Sequence, residues 1–600
     1  MKILHHDAAL WMAVSLATAL TACGGSSGGS TTPPPPPAKT TPTLTVTPSS
    51  LSITTAQALS VVVAVSGGSG NPVPTGSVTL SSGAFTSASK TLAAGNATVN
   101  IAAGLLAVGT DTITASYTPD ASSSSTYNAA TGKSSAVTVT AITSTISVDQ
   151  ASLGPAISDK LLGMNMAAWY DPTTAAVVPA FQAAGIKAVR WPGGSWSDDY
   201  HWATNTMCGN TPNTNATFAN FVNDLVNPGG FDVALTANYG TNAACTGPGD
   251  PAEAAAWITQ AKSINAHVTH MTVGNEEYGT WEDDLHPKKN DAATYAAAVG
   301  TASTSGYYSL IKAADPSVLV GVVVNPGNVP AWDPTVLANA KYDFVEDHYY
   351  PQAPGSESDT YLVQKAAQDL TGQLNMLKSE LAAAGKPNTP IYVGEIGSVY
   401  SNPGKQSLSI TQGLYAGQAL GEMMNDGVAR VTWWIGFGNC NGTQGNVSSS
   451  LYGWQNFGGY NIFADGPTDT ACAGAGPIGT MSPTARAFQL FSKVAVNGES
   501  VLTASVTGDP TNVRAYAATS NGGTVLVLFN LNQSAVAPVS LSLSAQTTSS
   551  DVVVETYSRA LYDQSKNNVW AEPTSTDLGA KSLPLSLTLD PWSMNVVTIK

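Results

Sequence analysis

Two glutamates follow apolar runs with the make-up of buried strands: Glu276 in VGNEEYGTWEDDLHP (273–287) and Glu395 in VGEIGS (393–398). Carboxyls facing each other across a cleft can hydrolyse a glycosidic bond, one protonating the leaving oxygen while the other attacks carbon or activates water. At a separation of roughly 5 Å the outcome is retention of configuration through a covalent intermediate. Glu276 needs a raised pKa to act as the acid, and an ionised Glu395 beside it would supply one; Glu395 itself must stay ionised. His348 and Tyr349 or Tyr350, in EDHYY, offer ring donors that could orient Glu395, and Trp434 offers a floor for a sugar. Pro192, Gly193 and Gly194 would let backbone come close to a ligand.

These residues need strands that end at one rim. After Ile142 the chain alternates strand-like and helix-like stretches, and eight apolar runs recur: KLLGMNMAAWY, KAVRWPGG, DVALTANYG, VTHMTVGNEE, SVLVGVVVNP, YDFVEDHYY, PIYVGEIGS and ARVTWWIGFG. Segment 361–384 places Leu362, Ala366, Leu370, Leu374, Leu377 and Leu381 at helical steps, with Gly385 and Pro387 as its stop. Strand–helix units over 161–495 predict a closed (β/α)8 TIM barrel. A doubly wound open sheet competes, and no GxGxxG follows the first run to favour it. Reactive groups of such barrels collect where strands end at the C-terminal face, so Glu276 after the fourth run and Glu395 after the seventh would meet across the mouth.

The neighbouring acids Glu277, Glu282, Asp283 and Asp284 are expected as a solvated rim, because strand alternation turns Glu277 away from Glu276. His267 and His270 have HxxH spacing, which on a strand points them to opposite faces. No CxxC or Cys/His cluster occurs, and no metal or cofactor is expected. Trp191, Trp196 and Trp202 serve either as core and loop anchors or as sugar subsites. The segment 204–218 and the long stretch 436–482 are expected to shape the mouth.

The flanks read as β structure behind a tether. Residues 1–23 form an export signal with an apolar run from Ala8 to Leu20. Leu20-Thr21-Ala22-Cys23 resembles the bacterial lipobox, which implies lipidation of Cys23 and a membrane anchor; Gly24 points to the outer membrane or cell surface rather than the inner membrane. Residues 24–43 are a Gly/Ser/Pro linker. Period-two runs over 44–141, such as LSVVVAVS and NATVNIAAG, resemble bacterial Ig-like repeats, a sandwich read here as a spacer. Segment 142–160, with STISVDQASLG, could add a leading strand to a C-terminal β-sandwich over 496–600. Cys208, Cys245, Cys440 and Cys472 allow three pairings in an exported chain, and neighbour pairing, 208 with 245 and 440 with 472, is expected. The 24 basic against 40 acidic residues exclude nucleic acid as a partner and leave the lipid as the only membrane contact. The 13 Trp and 21 Tyr suit a neutral polysaccharide or oligosaccharide, whose rings offer apolar faces for stacking.

RWPGGSWSDDYHW, VGNEEYGTW, EDHYY and SDKLLGMNM together resemble the clan of retaining (β/α)8 glycosidases, most of all glycoside hydrolase family 51, the α-L-arabinofuranosidases, over about residues 144–600. The resemblance implies Glu276 as acid/base and Glu395 as nucleophile. It also implies Arg190 bonded to the nucleophile, with a charge that depresses the pKa of Glu395, and Asn275 on the sugar 2-hydroxyl. VGEIGS departs from the Asp-Glu-Trp of that family towards the endoglucanases. The implied α-L-arabinofuranosidase acting on plant-type polysaccharide therefore has an endo-β-glucanase or xylanase as its alternative. A non-catalytic surface carbohydrate-binding protein is the alternative of another class, and a transglycosylase would use the same intermediate.

Overall fold

The computed structural model describes residues 38–83, 85–300, 305–441, 457–466 and 472–600. The signal segment, Cys23 and residues 24–37 of the linker lie outside them. Eight parallel strands pair in chain order: β1 (Gly163–Asn165), β2 (Ala188–Trp191), β3 (Asp232–Ala237), β4 (Val268–Val273), β5 (Leu319–Val323), β6 (Phe344–Tyr349), β7 (Ile391–Ile396) and β8 (Arg430–Val431). Met164 pairs with Trp433 past the end of β8, and the Asn165 and Trp433 backbones bond across the seam, so the sheet closes into a barrel. Every residue of β3, β6 and β7 is buried, as expected of strands with the barrel interior on one face and helices on the other. At the seam a side chain on Gly163 would stand 2.0 Å from the Val431 carbonyl, so only glycine lets β1 and β8 meet.

Outer helices begin where side chains cap them. Asp250 accepts from Ala252 N ahead of Pro251–Ser263, and Ser358 accepts from Tyr361 N. The segment expected as one helix over 361–384 is two, Asp359–Gln364 and Ala366–Ala383, broken at Lys365, whose φ of −133° is not helical. Leu370, Leu374, Leu377 and Leu381 of the longer helix face the barrel as their spacing predicts.

The segment Ser144–Ala156 leaves the barrel's start and joins the C-terminal strands. It pairs antiparallel with Ser500–Thr507 and parallel with Ala537–Leu543. Where a two-sheet sandwich was expected, hydrogen bonding runs through one nine-stranded sheet. Alternation along Gly523–Asn530 explains its two cores. Val525, Val527 and Phe529 pack on the barrel, while Leu526 and Leu528 join Ile146, Val539, Leu585 and Val597 in a second cluster. A twisted sheet this wide curls, and Leu585 and Leu589 of its end strand Leu585–Leu589 join that second cluster. Helix Ile410–Asn425 is sandwiched between barrel and sheet: Cβ atoms on Gly417 and Gly421 would lie 2.5 Å from Met594 and Tyr516. Between Thr43 and Thr140 three small sheets share a separate core, with Leu59, Val61, Val63 and Val65 turned inward and Val62 outward. Disulfides join Cys208 to Cys245 and Cys440 to Cys472, with Cα atoms 5.5 and 6.1 Å apart.

Candidate active site

Arg190, on β2, is completely buried beneath the barrel mouth and ties together three other strands and the turn after β4. Nη1 donates to Glu395 Oε1 (3.0 Å) and Asn165 Oδ1 (3.0 Å), Nη2 donates to Asn275 Oδ1 (2.8 Å), and Nε lies 3.0 Å from Glu346 Oε1. A planar fork with fixed charge suits this many acceptors where lysine would not.

Strand β6 contributes Glu346, His348 and, just past its end, Tyr350, which share one face by the two-residue repeat. Tyr350 Oη donates to Glu395 Oε2 (2.7 Å). His348 Nδ1 lies 2.8 Å from Glu276 Oε1 and 3.8 Å from Glu395 Oε2, while Nε2 lies 3.2 Å from Glu346 Oε1. Side-chain N and O atoms of Glu276, His348 and Glu395 all fall within 4.8 Å of one another, so the two carboxyls meet at the mouth. That trio also has the make-up of a metal site. Burial opposes the charge on His348, but the carboxylates of Glu395, Glu276 and Glu346 outweigh it and push its pKa up to about 10.

Beyond β4 the backbone turns sharply. Gly274 and Glu276 both have positive φ, 72° and 43°, a strained conformation for a glutamate. Asp198 holds the turn by accepting from the Asn275 and Tyr239 backbones. Glu276 then receives Trp281 Nε1–H at Oε2 (2.8 Å), with Tyr278 two residues on as a further influence on its charge.

The electrostatics reverse the expectation for the two glutamates. Burial disfavours the charge on Glu276, yet His348, Trp281 and Tyr278 outweigh it and hold its pKa below the usual range. Burial pushes Glu395 above that range, against the pull of His348 and Arg190. With Glu276 lowered and His348 raised, the proton between them sits on His348, hydrogen-bonded to Glu276.

Several expected positions differ. Tyr349 points away from the mouth, its hydroxyl donating to Ala366 O, and is not part of the cluster. Asn275 is turned inward, accepting from Arg190 and donating to Glu282 Oε1 (3.0 Å). Glu277, Glu282 and Asp284 are buried, not a rim, and only Asp283 is exposed. Glu277 lies against Asp198, and burial beside that carboxylate pushes its pKa far up, so it keeps its proton. Asp198 itself is raised to about 7 by burial. His267 precedes β4 on the surface, and its Nδ1 lies 3.6 Å from Asp232. A bulge at Thr269 interrupts the strand repeat, and His270 turns towards the Asp232–Arg430 pair and packs on Phe344, away from the surface where His267 lies. Trp191 and Trp202 pack on Trp257 as core, whereas Trp196 meets Trp169 edge-on at the mouth. Trp434 lies between Trp169, Tyr350 and Tyr460. A Cβ on Gly194 would stand 2.6 Å from its indole, so the glycines of β2's loop admit Trp434 rather than a ligand.

Sequence reasoning passed over Glu346, Tyr278, Trp281 and Asp198. The two-residue step back from His348 would have found Glu346. Asp198 and the Glu276–Trp281 contact depend on turns that no periodicity encodes.

No protein-family model matches the chain, and no curated protein matches it in sequence. Solved structures do. A family 51 α-L-arabinofuranosidase from Thermotoga petrophila RKU-1 is 17% identical, with TM-score 0.59 over 76% of this chain and 100% of that one. A family 44 xyloglucanase from Paenibacillus polymyxa gives 14%, 0.53, 76% and 99%, and a bifunctional glucanase-xylanase from a metagenome library 15%, 0.53, 76% and 99%. At these identities the likeness shows the fold alone: a (β/α)8 barrel with an attached β domain.

Proposed function

We propose that this chain is a retaining glycoside hydrolase, with Glu395 as nucleophile and Glu276 as acid/base. The observation that carries this is the meeting of the two carboxyls around His348, with Arg190 and Tyr350 fixing Glu395. In the first step Glu395 attacks the anomeric carbon as the bond to the leaving oxygen breaks, and Glu276 delivers a proton to that oxygen. The proton is held beforehand on His348 Nδ1 and passes along the 2.8 Å bond to Glu276 Oε1. In the second step Glu276 takes a proton from water, which attacks the same carbon and frees Glu395.

The substrate we infer is an α-L-arabinofuranoside on plant-type polysaccharide, supported by the β2 and β4 motifs and by the likeness to the Thermotoga petrophila structure. An endo-acting glucanase or xylanase is the second reading, favoured by GEIG at the nucleophile and by the likeness to the glucanase-xylanase. Both are tested by hydrolysis of aryl α-L-arabinofuranoside, β-xyloside and β-glucoside and of arabinan, xylan and β-glucan, by wild type and Glu395→Gln. Arabinofuranoside turnover that the variant lacks supports the first; polymer cleavage without it moves the reading to the second. Wild-type activity in Glu395→Gln defeats the catalytic assignment. Binding of a polymer with no turnover at all would make the chain a carbohydrate-binding protein.

A further inference from the structure

We propose that Glu346 is a positioning residue for both catalytic carboxyls, a third carboxylate that fastens Arg190 and His348 from behind in a space that Gly394 leaves open; this rests on Glu395 and Glu276 being the catalytic pair. The Glu346 side chain, on β6, is wholly out of solvent, so it does not meet a substrate. Its Oε1 lies 3.0 Å from Arg190 Nε and 3.2 Å from His348 Nε2, and its Oε2 accepts from the Thr272 hydroxyl on β4. A buried carboxylate is costly unless its oxygens are matched. Here burial opposes the charge, but Arg190, His348 and Thr272 outweigh it and hold the group ionised, below the usual carboxylate range.

One atom thereby joins the two arms of the site. Arg190 commits Nη1 and Nη2 to Glu395, Asn165 and Asn275, which leaves its Nε edge for Glu346. His348 commits Nδ1 to Glu276, which leaves Nε2 for the same Glu346 oxygen. The arginine that fixes Glu395 and the histidine that bonds Glu276 are therefore held in one relation by Glu346 Oε1. Its negative charge also lies between two cations that would otherwise repel each other.

The residue just before the nucleophile makes room for this carboxylate. A Cβ on Gly394 would stand 2.0 Å from Glu346 Oε1 and 2.4 Å from the carboxyl carbon, and its three nearest neighbours all belong to Glu346. The backbone is not free to back away, because the Gly394 carbonyl accepts from Asn165 Nδ2 (2.8 Å) and Thr432 Oγ1 (2.6 Å). Gly394 is also the extra residue of a bulge. Asp347 pairs with Val393 and His348 with Glu395, so the bulge sets the nucleophile opposite the histidine. The glycine ahead of Glu395 and the buried acid on β6 thus form one steric and electrostatic unit.

The test compares the full chain with Glu346→Gln, Gly394→Ala, Gly394→Ala combined with Glu346→Asp, and Glu395→Gln. The substrate is 4-nitrophenyl α-L-arabinofuranoside, or the β-xyloside or β-glucoside if polymer cleavage selects the endo reading, with kcat and KM read separately. Glu346→Gln keeps the shape and removes the charge, so kcat should fall about thirtyfold to a hundredfold, the effect of a misplacement near 1 Å, while KM stays within about twofold. Gly394→Ala should lose about a hundredfold in kcat for the same reason. Glu346→Asp withdraws the carboxyl by one methylene, so the double variant should regain at least about tenfold over Gly394→Ala. A glycine needed only for strand packing would not be rescued from β6. Wild-type kcat in Glu346→Gln, or a double variant no faster than Gly394→Ala, overturns the proposal. Should Glu346→Gln fail to fold, rescue in the double variant decides alone. Glu395→Gln separates the two failures. If it is dead while Glu346→Gln turns over at the wild-type rate, the catalytic reading stands and only this proposal falls; if Glu395→Gln is as active as wild type, both fall together.

Discussion

An imidazolium held among three carboxylates cannot release its proton without leaving them to repel one another, which is why His348 stays charged to about pH 10. The pH dependence of turnover should follow. Activity falls at low pH as Glu395 takes up a proton, and this limb lies above the usual carboxylate range because burial raises that group. It falls again at high pH as the His348–Glu276 unit empties. His348→Asn removes a positive neighbour that favours ionised Glu395, so the acid limb should move up by about one unit. A kcat/KM profile checks this, and an acid limb that stays in place would sink the shared-proton account. The choice between Tyr349 and Tyr350 was legible in principle, since a two-residue step from His348 selects Tyr350. The direction of the two glutamate shifts was not, because it depends on Trp281 and Tyr278 reaching back over a turn.

Elements position these side chains, and the sequence revealed them unevenly. All eight barrel runs were readable because strands covered on both faces are apolar throughout. Alternation failed just past β4, where Gly274 and Glu276 adopt positive φ and the strand repeat no longer governs direction. Glu277 is buried for that reason. The loop after β2 gives a test at this scale. Gly194 has φ 59° and no room for a Cβ beside Trp434, so Gly194→Ala is strained twice over. It should cost about 1–3 kcal/mol of stability and, by displacing Trp434, raise KM roughly tenfold while the fold persists. Thermal melting and Michaelis kinetics on the same preparation read both. An unchanged KM would mean that Trp434 does not floor the sugar.

Across the whole molecule the buried acids set how stability varies with pH. Burial raises Asp198 and Asp347 to about 7 and Asp333 to about 8. Such groups bind more protons folded than unfolded between pH about 4 and those values, so stability falls as pH rises through that window. His348, raised to about 10, acts with the same sign above about 6.5. His270 opposes them, because burial lowers it to about 3, but its window closes near pH 6.5. From pH 6.5 to 8 the decline is unopposed, and Tm should drop by roughly a few degrees. Glu277→Gln should flatten the slope, since a neutral side chain replaces an acid that burial keeps protonated. A Tm that is level or climbs over that interval would contradict the titrations.

The strand Ser144–Ala156 imposes an order of events on a growing chain. It emerges ahead of the barrel, yet its neighbours on both sides come after it, Ser147 and Ser505 being 358 positions apart. Leaving the ribosome, this segment must wait unpaired while the whole barrel is synthesised, and its edges are capped only when the last hundred or so residues arrive. Contacts this distant in sequence make assembly slow. The two ends of the barrel-bearing unit fasten it like a buckle, so a translation product cut between the barrel and Ser500 leaves both edges of this strand open to proteases and to aggregation.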